Sequence, residues 1–329
     1  MSEAIALVGS ETLMGREVRD LLSGTSLGAD LTLIAGSQEA GGLLAALGGE
    51  AAVLSRLDDV SIEDTAVVIL AGDPDSTRAV MARRPKGSLV DLTYVAEDDP
   101  RSRLRAPMVE RYDLRIAPDV IHSVAHPAAI AITLILSRLR IEHELSGWVV
   151  HIFEPASELG ASGVQELQEQ TVSLLSFKPM PKKVFDSQLT FTMLARLGDE
   201  APSQLQQVEA RVERHLATLF QNAGHSPMPS FRVVQAPVYH GYSFSIWAEF
   251  AGKVPDVAQV EALLTADDIS VHEFPLEPPN NVSIAGQDGI SVGAITLDRN
   301  NPRAMWLWVA ADNLRLLAQN AVAVARELI

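Results

Sequence analysis

Short, continuous runs of valine, isoleucine and leucine, separated by helix-forming segments, dominate the first 120 residues of this chain. Five such runs are predicted to be buried strands: Ile5–Val8, Leu31–Ala35, Ala66–Ala71, Ser88–Leu92 and Leu114–Ala117. Runs of this kind suit strands buried on both faces, as in a parallel sheet covered by helices. Leu13–Leu22, with apolar residues on one side, is predicted to be the first crossover helix. The pattern predicts a doubly wound, Rossmann-like α/β domain.

The pattern changes after Pro127, which is predicted to open a buried helix over Ala128–Leu139. Further strands are predicted at Gly147–Phe153, Phe231–Val238, Phe244–Phe250, Ile290–Leu297 and Met305–Ala310. Further helices are predicted at Val164–Leu175, Gln204–Gln221 and Val257–Leu264. Long stretches without either pattern, 177–199 and 273–289, lie between them. This mixture predicts an α+β second domain with a mixed or antiparallel sheet.

The last segment, 311–328, is predicted to be a long amphipathic helix that returns to the first domain. We therefore predict one domain from residues 1–127 and 311–329, and a second from residues 128–310.

The composition narrows the classes of partner. The net charge is −16 and the isoelectric point is about 4.9, which argues against nucleic acid or an anionic membrane as the main partner. No run of 18 apolar residues predicts a membrane span, and the start of the chain has no signal-peptide pattern, so a cytoplasmic location is expected. The chain has no cysteine, which excludes disulfides, thiolate metal ligands and a thiolate nucleophile, and we expect no metal.

A glycine-containing turn, Val8–Gly15, joins the first strand to the first helix. Gly9 and Gly15 bracket the place where a dinucleotide pyrophosphate meets a helix N-terminus. The middle glycine of that pattern is Thr12 here, and Glu11 adds a carboxylate beside the expected anion site. A cofactor cradle and a simple strand-to-helix turn that needs small residues are both open interpretations of this turn.

Three motifs resemble the aspartate-semialdehyde dehydrogenase family over nearly the whole chain. They are the opening VGSETLMGREV, the helix motif ELQEQT at 166–171, and the ending WLWVAADNLR at 306–315 with NAV at 320–322. The resemblance implies NADP or NAD as cofactor and a homodimer formed through the sheet of the second domain. The cofactor-binding positions it implies are Gly9, Thr12, Leu13, Met14, Gly15, Ser37, Gln38 and Gly72.

In that family, a thiolate attacks the aldehyde, hydride passes to NADP, and phosphate releases the thioester as an acyl phosphate. The family's cysteine motif matches 126–131 of this chain, where the cysteine position is Ala129, and a methyl group cannot attack a carbonyl. Thr133 is expected to pack or to bond the backbone, and His126 is expected to cap the helix or face solvent. His126 as a substitute catalytic group is the less favoured alternative.

The other catalytic roles that the resemblance implies are also changed. The acid/base histidine position is Tyr242, the substrate arginine position is Gln235, and the orienting glutamine position is Glu154. A tyrosine is a poor base at neutral pH, and a glutamine cannot pair with a carboxylate by charge. The phosphate-site arginine position is Glu97, and Gln38 replaces a cation of the family's 2′-phosphate clamp, which argues against NADP in particular.

These changes suggest a USG-type paralogue branch of the family that lacks the catalytic cysteine and has lost the dehydrogenase activity. One alternative is a repurposed NAD-binding oxidoreductase without a covalent intermediate, using His126, Tyr242 or His240. The other is a scaffold, or a heterodimer partner of an active paralogue.

Overall fold

The computed structural model describes residues 4–37, 44–47, 50–110, 120–223 and 227–329. The chain divides into two compact units, one formed by Met1–Ala125 and Leu317–Ile329 and the other by His126–Leu316. Within the described ranges, no helix is long and apolar enough to cross a bilayer.

The first unit is a parallel sheet covered by helices, as predicted. Its elements are β1 (Ile5–Val8), α1 (Leu13–Ser23), β2 (Leu31–Ile34), β3 (Leu44–Leu47), β4 (Glu50–Val53), β5 (Val67–Leu70), α2 (Pro74–Arg83), β6 (Ser88–Asp91), β7 (Ser102–Arg105) and β8 (Ile121–Val124). Six strands pair in the parallel order β2-β1-β5-β6-β8-β7, while β3 and β4 form a separate antiparallel hairpin. The order reverses between β1 and β5, which creates the crevice where α/β proteins bind ligands.

The sheet is buried on both faces because alternate residues of each strand enter different cores. Ile5 and Leu7 pack with α1 and the C-terminal helix α7 (Asn313–Leu328), whose residues from Leu317 onward belong to this unit. Ala6 and Val8 pack in a second core together with Val80 of α2. This alternation follows from the two-residue period of a strand.

Not every element of this unit was predicted. The strand at Leu114–Ala117 lies outside the described residues. The structure adds β3, β4, α2, β7 and β8, which were not predicted from the sequence. The predicted last helix began too early, because Ala311 still belongs to a strand and the helix starts at Asn313.

The second unit contains a mixed sheet. Its elements are α3 (Pro127–Leu139), β9 (Leu145–Glu154), α4 (Gly160–Leu175), α5 (Leu205–Ala223), β10 (Ser230–Gln235), β11 (Tyr242–Phe250), α6 (Val257–Leu264), β12 (Ile269–His272), β13 (Ile290–Leu297) and β14 (Ala304–Ala311). The strands pair in the order β10-β9-β11-β14-β13-β12, parallel at the two edge pairs and antiparallel between them. The mixed α+β prediction is confirmed, and β12 is an added strand.

Candidate functional site

The turn after β1 is built on close backbone contacts. Gly9 has a φ of +79°, and a Cβ added there would lie 2.1 Å from the Cα of Gly72. A Cβ on Gly15 would lie 2.0 Å from the carbonyl oxygen of Gly9. The packing of the turn therefore requires these glycines whether or not a ligand binds, which supports the simple-turn interpretation without excluding the cradle.

Thr12, at the position of the missing glycine, directs its hydroxyl into the protein. Its Oγ1 lies 2.7 Å from the carbonyl oxygen of Ala71 and accepts the N–H of Gly15 at 2.9 Å, which caps α1. Among the described residues, the N–H groups of Leu13 and Met14 have no protein acceptor. The helix start thus keeps the free N–H donors that bind anions.

Glu11 does not leave an isolated carboxylate beside this helix start. It forms ion pairs with Arg16, at 3.1 Å, and with Arg19. Two guanidinium groups therefore balance the carboxylate that the sequence places beside the helix start.

A surface cavity of about 390 Å³ lies beside the end of β2. It is lined by Ala35, Gly36, Ser37, Arg56, Leu57, Asp58, Asp75, Ser76 and Ala79. Ser37 donates its N–H and its hydroxyl to Asp73, at 2.9 and 2.6 Å. Burial raises the pKa of Asp73, but hydrogen bonds from Ser37 and the Ser76 N–H outweigh it, so that the pKa is lowered and the carboxylate is ionised. Gln38 lies outside the described residues.

The second unit holds a buried polar cluster where α3 begins. His126 caps this helix, its Nδ1 accepting the Ala128 N–H at 3.2 Å, as expected, but it is buried and does not face solvent. His215 on α5 accepts the N–H of His126 through its own Nδ1 at 2.9 Å. Ala129 is completely buried, and Thr133 donates to its carbonyl oxygen at 2.7 Å, which confirms the expected backbone bond.

Two glutamates and a tyrosine complete this cluster. Tyr242, fully buried at the start of β11, donates to Glu154 Oε2 at 3.4 Å, and it also hydrogen-bonds Glu158. Asn313 donates to Glu158 Oε1 at 2.8 Å. The rings of His126 and Tyr242 meet edge to face, with centroids 6.0 Å apart. The structure therefore brings the predicted positions 154 and 242 together with the start of α3.

Burial dominates the protonation of the cluster. It raises the pKa of Glu154 well above its usual value, and repulsion from Glu158 adds to the rise. Burial also raises the pKa of Glu158 to about 7, against the lowering effect of its hydrogen bonds. Burial, with smaller contributions from His215 and Arg211, holds the pKa of His126 well below its usual value.

The hydrogen bonds define where the protons lie. Because His126 Nδ1 accepts an N–H, its proton is on Nε2, which lies 3.7 Å from Glu158 Oε2. The Glu158 side chain is 17% exposed, whereas the Glu154 side chain is buried. A partly accessible carboxyl with a pKa near neutrality can both give and take a proton, so the cluster has acid–base groups.

Gln235 and His240 are not part of the contact between His126 and Glu158. Gln235 is buried, and its Nε2 donates to the backbone carbonyl of Glu154 at 2.9 Å, while its Oε1 has no partner within the described chain. The chain bends at Gly241, where φ is +83°, so His240 lies outside the strand that carries Tyr242. Glu97 lies in the first unit, in the turn after β6.

The ELQEQT motif proves to be a structural clamp. Glu166 accepts the N–H groups of Lys183, Val184 and Phe185 at 2.6, 2.8 and 3.0 Å. The Gln170 side chain bonds four backbone groups between residues 181 and 190. These buried side chains fix the irregular segment 177–199 against α4.

Glu158, Asn313 and His215 were missed by sequence reasoning. Glu158 comes four residues after Glu154 in the sequence, with Pro155 between them. This second nearby carboxylate was the one sequence signal that could have pointed to Glu158. His215 and Asn313 are distant in sequence, and only folding places them in the cluster. No group of three or more His, Cys, Asp or Glu side chains suited to a metal ion occurs among the described residues.

Comparison with known proteins identifies the family. The chain is 29% identical to the USG-1 protein homolog of Pseudomonas aeruginosa and 26% identical to the aspartate-semialdehyde dehydrogenase of Rickettsia bellii. Each alignment covers 99% of this chain and 97% of the relative. The structure of a probable aspartate-semialdehyde dehydrogenase from Pseudomonas aeruginosa superposes with a TM-score of 0.86 at 24% identity, covering 99% of this chain and 98% of that one.

The family profile described as semialdehyde dehydrogenase, dimerisation domain, matches residues 136–316. Because this match spans more than half of the chain, and full-length relatives carry the same name, the chain belongs to the aspartate-semialdehyde dehydrogenase family.

Proposed function

We propose that this chain is a family homologue that has lost the phosphorylating dehydrogenase reaction. The observation that carries the proposal is the bond between Tyr242 and Glu154 beside a helix start that presents Ala129. The side chains at the acid/base and orienting positions thus bond each other and face no nucleophile. A methyl group at position 129 cannot form the thioester on which the family's reaction depends.

The neighbouring groups support the same proposal. Tyr242 donates its proton to a carboxyl group, which is the opposite of what a general base does. Gln235 is neutral and its amide bonds the backbone, so it offers no charge to hold a substrate carboxylate. Losses at several positions act together, because residues of one catalytic unit do not contribute additively.

The direct test is a kinetic assay of phosphate-dependent reduction of NADP by aspartate semialdehyde, with an active dehydrogenase of the family as positive control. We expect no turnover above the background of the uncatalysed reaction. A turnover number in the ordinary enzyme range, from about 1 to 1000 per second, would contradict the proposal.

The variant Ala129→Cys separates loss of the nucleophile from loss of the whole site. We expect it to remain inactive, because Tyr242 and Glu154 still bond each other and Gln235 still lacks a charge. Because position 129 is completely buried, alkylation of the new thiol by iodoacetamide after unfolding provides the check that the side chain is present. Activity restored by this single change would show that only the nucleophile had been lost.

A second candidate function, dinucleotide binding by the first unit, is favoured by the free N–H groups at the start of α1. The N–H groups of Leu13 and Met14 would hold a pyrophosphate there, and a bound nicotinamide would supply hydride transfer. The cavity beside Ser37 suits a ribose with free hydroxyls better than a 2′-phosphate. Asp73 already accepts hydrogen bonds from both the N–H and the hydroxyl of Ser37, so neither group is free to bind a phosphate. The ionised carboxylate of Asp73 also repels a phosphate, whereas it can accept hydrogen bonds from ribose hydroxyl groups.

The variant Asp73→Asn tests this selectivity. Asparagine keeps the helix cap and an oxygen that can accept from Ser37, but it removes the charge. We expect the preference for NAD over NADP, measured by isothermal titration, to shrink by up to about fivefold, the range of partly exposed charge interactions. An unchanged ratio would assign the selectivity elsewhere, and no binding of either nucleotide at millimolar concentration would remove this candidate function.

The assembly that we propose is a homodimer formed through the second unit, which is the family's dimerisation domain. Its sheet is the expected contact, and a cytoplasmic location accompanies the proposal. A heterodimer with an active paralogue is the alternative. A pull-down from the native cell that recovers the paralogue would favour the heterodimer, and one that recovers only this chain would favour the homodimer.

A further inference from the structure

The hydroxyl group of Tyr242 lies between two carboxyl groups. It donates to Glu154 Oε2 at 3.4 Å, and the Glu158 side chain hydrogen-bonds the same hydroxyl. A phenol has a single proton to donate, together with lone pairs that can accept. Two ionised carboxylates can only accept, so they could not both bond this hydroxyl. The two contacts therefore require that at least one of the carboxyl groups carries a proton.

The other bonds of Glu158 leave one oxygen to carry that proton. Asn313 donates to Oε1 of Glu158 at 2.8 Å, so this oxygen acts as an acceptor. The second oxygen, Oε2, lies 3.7 Å from His126 Nε2, which is beyond hydrogen-bond length. Asn313 is itself held by the backbone, since its Oδ1 accepts the N–H of Gly241 at 3.1 Å. Glu158 is thus fixed beside Tyr242 with Oε2 as the oxygen that can be protonated.

The charged groups around the two carboxyls favour one negative charge on the pair. The cation of Arg211, on α5, stabilises the ionised form of both Glu154 and Glu158, while repulsion between the two carboxylates opposes a second charge. His126 at the start of α3 and His215 on α5 complete the surroundings. Each of these rings accepts an N–H through Nδ1, so its proton is on Nε2 and the ring is neutral.

We infer that Glu158, Tyr242 and Glu154 form a proton relay, in which one proton is shared between the two carboxyl groups through the phenol. When Glu158 holds the proton, it donates to Tyr242, and Tyr242 donates to Glu154. When Glu154 holds the proton, both hydrogen bonds reverse. The change moves two protons together, because the phenol oxygen gives up one as it receives the other, and the total charge stays the same.

The relay connects a buried carboxyl group with the protein surface. Glu154 is 1% exposed, whereas the Glu158 side chain is 17% exposed. Burial raises the pKa of Glu158 to about 7, so this end takes up and releases a proton near neutral pH. Glu154 can then exchange its proton with water while the fold stays closed. The relay needs no nucleophile, and it does not depend on whether the dehydrogenase reaction has been lost.

The test is a pH titration of the full-length protein, labelled with carbon-13 at the glutamate carboxyl carbons and followed by NMR through the pH at which Glu158 ionises, about 7. The two signals are assigned by their loss in Glu154→Gln and in Glu158→Gln. Protons of strongly interacting groups leave in steps that belong to the pair. We expect both signals to move in the same step, each by part of the shift that full ionisation causes.

The variant Tyr242→Phe removes the bridging hydroxyl and keeps the ring. The ring contacts with Phe244 and His126, at centroid distances of 5.5 and 6.0 Å, do not need the hydroxyl. In this variant we expect the Glu158 signal to take the full ionisation shift. The Glu154 signal should stay at its protonated position through the same step.

The matched control is Tyr239→Phe, which removes the hydroxyl of a tyrosine that is 41% exposed and should leave the sharing unchanged. A wild type in which Glu158 alone takes the full shift would overturn the relay, and this titration decides the question even if the Tyr242 variant does not fold. Equal sharing in the wild type and in Tyr242→Phe would also overturn it, because the two carboxyls would then interact without the phenol.

Discussion

Replacing Gly9 by alanine should lower the free energy of unfolding by about 2–5 kcal/mol, among the largest effects of any single substitution here. The left-handed backbone at this residue, with φ of +79°, costs an alanine about 1–2 kcal/mol. The added Cβ would lie 2.1 Å from the Cα of Gly72, and such overpacking against backbone costs a further ~1–3 kcal/mol. Since Gly72 belongs to the segment that follows β5, the clash forces β1 and β5 apart at their ends.

The measurement must report on the first unit. All four tryptophans, at positions 148, 247, 306 and 308, lie in the second unit, so their fluorescence does not report directly on the first unit. Hydrogen exchange of the β1 and β5 amides, together with urea unfolding followed by far-ultraviolet circular dichroism, does. The control is Gly24→Ala, where an added Cβ meets no atom within 4 Å and φ is −83°. Equal effects of the two substitutions would show that the close approach at Gly9 relaxes without cost.

The second unit should become less stable as the pH rises from about 5 to about 8, and Glu158→Gln should reduce that loss of stability. The folded-state pKa of Glu158 is raised to about 7 by burial, from an ordinary value of 4.5. The stability contributed by a raised pKa is fully present below the unfolded value and is lost as the pH rises through the folded value. The shift corresponds to about 3 kcal/mol. Glu154, whose pKa is also raised, acts in the same direction.

Glutamine resembles the protonated carboxyl and keeps an oxygen that can accept from Asn313. The variant should therefore match the wild type near pH 5 and exceed its stability at pH 8 by up to about 3 kcal/mol. Tryptophan fluorescence during urea unfolding at each pH provides the measurement. The exposed Glu169→Gln is the control, because it removes the same charge from the acidic surface and should follow the wild type. A Glu158→Gln curve parallel to that of the wild type would show that the carboxyl is already ionised in the folded state.

The first unit could be predicted well because its strands are specified locally. Continuous apolar runs such as Val67–Leu70 are buried on both faces, and β1, β2, β5 and β6 lie close to their predicted bounds. The added helix α2 was missed because its sequence is polar and begins with an Asp-Pro pair that resembles a turn. That pair is in fact a cap followed by proline in the first helical turn, where proline needs no N–H partner.

The candidate site could be predicted only in part. Positions 129, 154 and 242 follow from the resemblance, and the sequence alone gives the residues that stand there, an alanine, a glutamate and a tyrosine. What these replacements do to each other was not predictable. The bond from Tyr242 to Glu154 joins residues 88 positions apart, and it forms because β9 and β11 are neighbours in the sheet.

The sequence by itself determined the two architectures and the absence of a thiol, because composition and periodicity are local properties of the chain. Only the tertiary structure decided that burial raises the pKa of Glu158 to about 7 beside His126. It also decided that two arginines form ion pairs with Glu11. The exposure of Phe177 and Phe191 to solvent likewise depends on the fold. Protonation, ion pairing and exposure depend on which distant residues share a volume with a side chain. Folding brings those residues together, and no local pattern in the chain records them.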